Sequence, residues 1–202
     1  MPARRTSARE RWNERRSADG FEPFPDAPAE WLVEHRSLLS GGGRALDVAC
    51  GDGRNALHLA RLGFEVDAVD VSDLAIDALC TAAPDRAPAV HPRVVDLELE
   101  PLPQDEYDVV VNFNYLQRDL FEALERALRP GGWLLFETFG RAHLDELGKR
   151  IDPAYVLADN ELLHAFPGLR VRHYREGVVE RPGGPRGVAS LVAHRPGPRH
   201  QP

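Results

Sequence analysis

The sequence predicts a doubly wound α/β fold: a mostly parallel, seven-stranded sheet with helices on both faces, finished by an antiparallel C-terminal hairpin. Three observations predict it. Short apolar runs alternate with amphipathic stretches in a βαβαβαβ order. One of those runs, "YDVVVNFNY", is continuously apolar and β-branched, which suits a strand buried on both faces of a parallel sheet. The last third of the chain replaces this alternation with two strand-like segments joined by "RPGGP", too short a connection for a crossover helix.

In chain order, "RALDVA" is the first strand and "RNALHLARLG" a helix closed by Gly63. "FEVDAVDV" alternates as a second strand should. Ser72 caps the helix "DLAIDALCTAA", which Pro84 ends. "PRVVDL" is a short third strand and "YDVVVNFNY" the fourth. "QRDLFEALERALRP" reads as an amphipathic helix stopped by Pro130 and two glycines, and "WLLFETF" as the fifth strand. "ADNELLHAF" is a helix with Asp159 or Asn160 near its cap. "LRVRHYREGVVE" and "RGVASLVAHRP" form the hairpin.

The chain has 202 residues, enough for one domain with a substantial core, at 43% hydrophobic and 28% charged residues. No apolar run reaches the ~20 residues of a membrane span, and the N-terminus lacks an apolar signal core. Two cysteines, Cys50 and Cys80, are too few for a disulfide framework. These features point to the cytoplasm, with no membrane partner. A net charge of −7 argues against nucleic-acid binding, which needs clustered Lys and Arg. The basic cluster Arg4 to Arg16 reads as a tail running into a salt-bridged helix. Eight histidines are scattered without metal-ligand spacing, so no metal is expected.

The chemistry-bearing stretch is "ALDVACGDGRNALHLA". Ligands of open α/β sheets sit beyond the carboxyl ends of the strands, and this loop follows the first strand. Gly51 and Gly53 let the backbone turn sharply and approach a ligand. The helix N-terminus behind them favours a carboxylate or phosphate. Asp47, at a buried strand end, either orients the loop amides or holds a cationic group. Asp70 ends the second strand, where an acidic residue reads a ribose diol; capping the next helix is the plainer role. Asp96, after the third strand, either accepts from an adenine amino group or sits in a turn. The same loop also fits G-x-G-x-x-[GA] through Gly51, Gly53 and Ala56, a pattern that suggests NAD.

Taken together, "LDVACGDGRNA", "AVDVS", "VVDLE" and "ALRPGGWLLFETF" resemble, in order, the motifs of class I S-adenosylmethionine-dependent methyltransferases. "WNERR", "CGDGRNALHLA" and "YLQRDLFEAL" resemble most the small bacterial tellurite-resistance and thiopurine methyltransferase-like proteins. One departure is Ala49, which stands where the usual motif has its first glycine. The resemblance implies a Rossmann-like methyltransferase fold and in-line methyl transfer from S-adenosylmethionine to a small-molecule nucleophile. It implies that Asp47, Ala49, Cys50, Gly51 and Gly53 surround the methionine portion, with Arg54 and Asn55 opening the helix. Asp70 would take the ribose, Val71 and Ser72 would flank the adenine, and Asp96 and Leu97 would contact its edge. Asn112 and Phe113 would line the methyl end.

On the acceptor side, Tyr115 faces the sulfonium or packs on the sheet. Arg118 binds an anionic substrate or pairs with Asp119 or Glu122. Trp12 and Arg16 belong to a helix that closes over the cofactor or simply packs. The expected organisation is a tail with a candidate lid helix over 1–30, one methyltransferase domain over 31–195 and a frayed tail over 196–202. Two other functions fit the same residues: an NAD-dependent oxidoreductase, and a non-catalytic regulator that binds S-adenosylmethionine.

Overall fold

The computed structural model describes residues 7–21, 27–39, 41–82 and 89–197. The expected helix stop at Pro84, the basic residues Arg4 and Arg5 and most of the expected frayed tail lie outside them. Across the seven-stranded sheet the strands run β3-β2-β1-β4-β5-β7-β6, flanked by helices. The chain divides into two units, Met1–Ala29 with Gly41–Pro101, and Glu30–Ser40 with Leu102–Pro202.

The first unit holds β1 (Arg44–Val48), β2 (Glu65–Asp70) and β3 (Val90–Val94), all parallel. Helix α3 (Arg54–Arg61) joins β1 to β2, and α4 (Asp73–Ala82) follows β2. Gly63, at φ +93°, ends α3 as expected. Ser72 Oγ accepts the Ala75 N–H, the expected cap of α4. Ala45, Leu46 and Val48 are fully buried, as are Val66 and Ala68. Asp67, the buried charge in the middle of β2, is matched by Arg44 at 2.6 Å. Helix α1 (Ala8–Ser17) opens on a capping box: Ser7 accepts the Glu10 N–H, and Glu10 returns to the Ser7 N–H.

The second unit begins with α2 (Glu30–Glu34) and contains β4 (Tyr107–Phe113), α5 (Phe121–Ala127) and β5 (Leu128–Phe139). After β5 come two short helices, α6 (Ala142–Asp145) and α7 (Glu161–His164), then β6 (Arg170–Val179) and β7 (Arg186–His194). β4 and β5 are parallel; β7 is antiparallel to both β5 and β6. The C-terminal hairpin is therefore present, with its second strand beside β5. Phe121, Phe136 and Phe166 form an aromatic contact set on one face of β5.

Two helices are shorter than their sequence patterns. The stretch expected as one helix through Pro130 is a 3-10 turn over Arg118–Leu120 followed by α5, which stops at Ala127. Leu128 is already extended, because it pairs with Tyr107, and the next residue, Arg129, precedes Pro130 and so avoids helix. β5 thus starts five residues before the expected "WLLFETF" and absorbs Pro130, Gly131 and Gly132 as an irregularity in the β4 pairing. A Cβ on Gly132 would lie 3.0 Å from the carbonyls of Arg129 and Tyr107. Helix α7 keeps only Glu161–His164; Asn160 starts it through a left-handed backbone, φ +59°, with no side-chain cap. Among the described residues no helix is long and apolar enough to cross a membrane.

Candidate active site

β1 delivers Asp47 to its carboxyl end with 1% exposure. The loop that follows needs three left-handed residues: Ala49 (φ +51°), Gly51 (φ +54°) and Gly53 (φ +81°). Gly53 is a glycine for a second reason, since a Cβ there would lie 2.2 Å from the buried Leu79 side chain. A Cβ on Gly51 would meet nothing within 4 Å, so the backbone there faces open space. The loop is tied to β2 by Cys50 N–H to the Val69 carbonyl at 3.0 Å and by Gly51 N–H to Asp70 Oδ2 at 2.9 Å.

Asp47 accepts the backbone N–H of Ala56, in the first turn of α3. Among the described residues its Oδ2, which is buried, has no hydrogen-bond partner. Burial pushes its pKa up to about 7, against the pull of the Ala56 N–H and of Arg54 and with a further push from Asp70. Asp70 is half-buried, and burial raises its pKa as well. Its second oxygen accepts the Ser72 N–H at 2.9 Å, so it fixes the turn after β2 and the glycine loop at once. Burial also drives the Cys50 thiol well up, and its Sγ–H is directed to the Gly51 carbonyl. It is a packing residue, not a poised nucleophile.

The other expected residues take these places. Arg54 donates to the Ala27 carbonyl at 3.3 Å, and the buried Asn55 accepts the Ala29 N–H at 2.9 Å. Val71 is half-buried and Ser72 is buried, its hydroxyl donating to Asn13 Oδ1 at 2.7 Å. Asp96 accepts the Glu98 N–H at 3.0 Å and so spends one oxygen on its own turn; Leu97 is buried. On α1, Arg16 pairs with Asp52 of the glycine loop and stacks on Phe21, while Trp12 is half-exposed under Arg15. Asn13 also donates to Asp73. Asp47 and Asp70 are thus joined through one loop, and Asp96 stands one strand further along.

In the second unit, Asn112 and Phe113 are buried at the end of β4, and Asn112 Nδ2 donates to the Tyr115 carbonyl at 2.8 Å. The Tyr115 hydroxyl donates to Gln117 at 2.6 Å. Arg118 pairs with neither Asp119 nor Glu122. Its guanidinium is held by Glu161, through two bonds of 2.6 and 2.9 Å, and by the carbonyls of Ala154 and Val156. Beyond β5, the buried His143 accepts the Gly187 N–H at Nδ1, so its neutral ring carries the proton on Nε2 and offers a donor. Burial, Arg186 and Lys149 lower its pKa.

Sequence reasoning missed Asn13, Asp52, Glu161 and His143. Asp52 lay inside the quoted loop and its charge was the available signal. Glu161 is 43 residues from Arg118, and nothing local announces that pair.

A left-handed glycine loop after β1, with acids at the ends of β1 and β2 of a seven-stranded sheet, defines a nucleoside-cofactor-binding α/β protein. The chain matches the methyltransferase domain family over residues 14–176 and belongs to that family. It is 27% identical over 140 residues to the ubiquinone biosynthesis O-methyltransferase of Acinetobacter baylyi, across 63% of this chain and 56% of that one. The Burkholderia multivorans protein of the same name is 30% identical over 130 residues, covering 60% and 55%. The chain thus spans little more than half the length of these relatives. Among solved structures, TehB from Haemophilus influenzae superposes with a TM-score of 0.67 at 20% identity, over 83% of this chain and 62% of that one. A structure from work on converting a disulfide bond into a thioacetal group during echinomycin biosynthesis gives 0.75 at 20% identity, over 95% and 93%. These structures share the fold.

Proposed function

We propose that this protein transfers a methyl group from S-adenosylmethionine to a small-molecule nucleophile in the cytoplasm. The observation that carries the reading is the bare, buried Oδ2 of Asp47 beside the open space at Gly51. A buried carboxylate oxygen without a partner is costly, and a ligand ammonium group relieves that cost. A dinucleotide offers no ammonium group to that oxygen and would set its pyrophosphate beside the buried Asp47 carboxyl instead. The free cysteines, Cys50 and Cys80, suit a reducing compartment.

In this reading Asp47, Ala49, Cys50, Gly51 and Gly53 hold the methionine portion. Arg54 faces its carboxylate, and Asn55 steadies the flank through Ala29. Asp70 takes the ribose hydroxyls with the lone pairs its bonds to Gly51 and Ser72 leave over. Val71, Ser72, Asp96 and Leu97 frame the adenine. Trp12 and Arg16 sit on a lid, α1. The acceptor side falls to Asn112 and Phe113, at the end of β4, and to Tyr115 just after it. Arg118 is not among the acceptor contacts, because Glu161 occupies it.

S-adenosylmethionine supplies an activated methyl group, so the protein's task is alignment and exclusion of water. Orientation of this kind lowers a barrier by about 7–11 kcal/mol in favourable cases. The buried, high-pKa Cys50 takes no covalent part.

Calorimetric titration with S-adenosylhomocysteine and with NAD tests the reading: binding of the first and not the second is expected. Asp70→Ala should weaken S-adenosylhomocysteine at least tenfold, in line with the roughly 1.5–3 kcal/mol of hydrogen bonds to a charged group, with the far-ultraviolet circular dichroism unchanged. Unaltered affinity in that variant would remove the ribose assignment.

A further inference from the structure

The segment between β5 and β6 carries none of the sequence motifs. Residues 152–161 contain one 3-10 turn, Pro153–Tyr155, and lead into α7. Besides the Asn160 N–H, which donates to Glu176 on β6 at 3.0 Å, three ties hold this stretch. Asp152 caps the turn through the Ala154 N–H at 2.9 Å. Leu157 N–H donates to the carbonyl of Phe139, the last residue of β5, at 2.9 Å, and Leu157 bridges Gly140. Arg118, in the turn after β4, supplies the third tie. Its Nε and Nη2 clasp the Glu161 carboxylate, Nη2 also reaches the Val156 carbonyl at 2.9 Å, and Nη1 reaches the Ala154 carbonyl at 3.1 Å.

Four hydrogen bonds from one guanidinium to a stretch about 40 residues away in sequence are more than a surface ion pair. A surface pair joins two side chains and is worth little. Here the planar fork matches a carboxylate bidentately and reads two main-chain carbonyls besides, a set that lysine cannot reproduce. Glu161 is itself committed, accepting the Ala158 N–H at 2.8 Å. Val156 and Leu157, within the clasped stretch, are buried, and Tyr155 is half-exposed.

We propose that Arg118 is a positioning residue: with Glu161 it latches residues 152–161 across the carboxyl ends of β4 and β5, making that segment the wall that seats the methyl acceptor. This rests on the methyl-transfer reading. The Tyr115 hydroxyl and the Asn112 amide, both in the stretch that leads to Arg118, would then face a fixed wall.

The test uses the full chain and three variants, Arg118→Gln, Arg118→Lys and Glu161→Gln. Hydrogen exchange of the Leu157 amide should quicken at least tenfold in Arg118→Gln and Glu161→Gln, and less in Arg118→Lys. Unchanged exchange overturns the latch. Methyl transfer to two probe acceptors, 3,4-dihydroxybenzoate and thiophenol, is read as S-adenosylhomocysteine formed. For a probe the wild type turns over, KM should rise about tenfold, with kcat and the S-adenosylhomocysteine Kd within twofold. An unmoved KM, or a Kd that weakens in step with it, overturns the positioning role. If the wild type binds no S-adenosylhomocysteine, the methyl-transfer reading and the acceptor role fall together, while the Leu157 amide still decides the latch. If it binds but turns over neither probe, that amide alone decides. Should Arg118→Gln fail to fold, Glu161→Gln decides instead, since it leaves the guanidinium its two carbonyl partners.

Discussion

Ala49 sits at φ +51°, a backbone setting that costs an L residue about 1–2 kcal/mol. Glycine would remove that cost and bring back about 0.5–1 kcal/mol of chain entropy. Ala49→Gly should therefore stabilise the protein by roughly 0.5 kcal/mol, a rise of about 1–2 °C in Tm for a chain of this size, read by scanning calorimetry. Asp47 makes the opposite kind of compromise. Its folded-state pKa is about 7 against an ordinary 3.8, because burial disfavours the charge. A raised carboxyl pKa means that the folded state holds the proton more tightly. Its contribution to stability is thus fully present below pH 4 and lost as pH rises toward 7. A cationic ligand at Oδ2 reverses the preference and favours the ionised form. S-adenosylhomocysteine affinity should then climb as pH rises through 7 and level off above it, with a proton released on binding below that point. Calorimetry in two buffers of different ionisation enthalpy measures that proton, and Asp47→Asn should abolish both effects.

At the scale of elements, α1 is the unusual one. No residue of it is buried, so it gains little from the hydrophobic effect. It is held by its capping box and by polar contacts to other elements: Arg16 to Asp52, Asn13 to Ser72 and Asp73, and Arg11 to Glu98 at 3.9 Å. Those partners lie in the glycine loop and after β2 and β3, so ten residues of helix touch all three places assigned to the cofactor. A helix attached in this way is cheap to lift and sensitive to salt. Arg16→Ala should weaken S-adenosylhomocysteine several-fold at low salt. Raising salt to 1 M should narrow the gap between variant and wild type, as titrations at two ionic strengths will show. The hairpin is the contrast. β7 is buried along Gly187–Ala193 while β6 is largely exposed, because β7 is covered by a strand on each side.

For the molecule as a whole, that inner strand is a point of leverage. Leu191 is fully buried, opposite Phe136 on β5 and Tyr174 on β6. Leu191→Ala should cost about 2–5 kcal/mol and lower the Tm by roughly 5–15 °C, without a comparable loss of intrinsic cofactor affinity in the protein that remains folded. Much of this architecture was legible in the chain. The apolar runs placed the central strands, since a strand buried on both faces has to be written in apolar residues whatever surrounds it; β3 runs over Val90–Val94, two residues ahead of the expected "PRVVDL", and the largely exposed β6 is no such run. The glycine loop and the two acids at strand ends were legible for a similar reason: left-handed turns and buried charge leave few residue choices. Element ends were less legible. α5 stops where Leu128 finds Tyr107, and a strand partner 21 residues away cannot be read from helical periodicity. The sequence by itself determined the fold class and the Asp47–Gly53 loop, because burial and backbone chirality act locally. Only the tertiary structure decided that Arg118 belongs to Glu161, that Asn55 serves Ala29 and that α1 is fastened to Asp52, because a long side chain takes whichever partner the fold brings within reach.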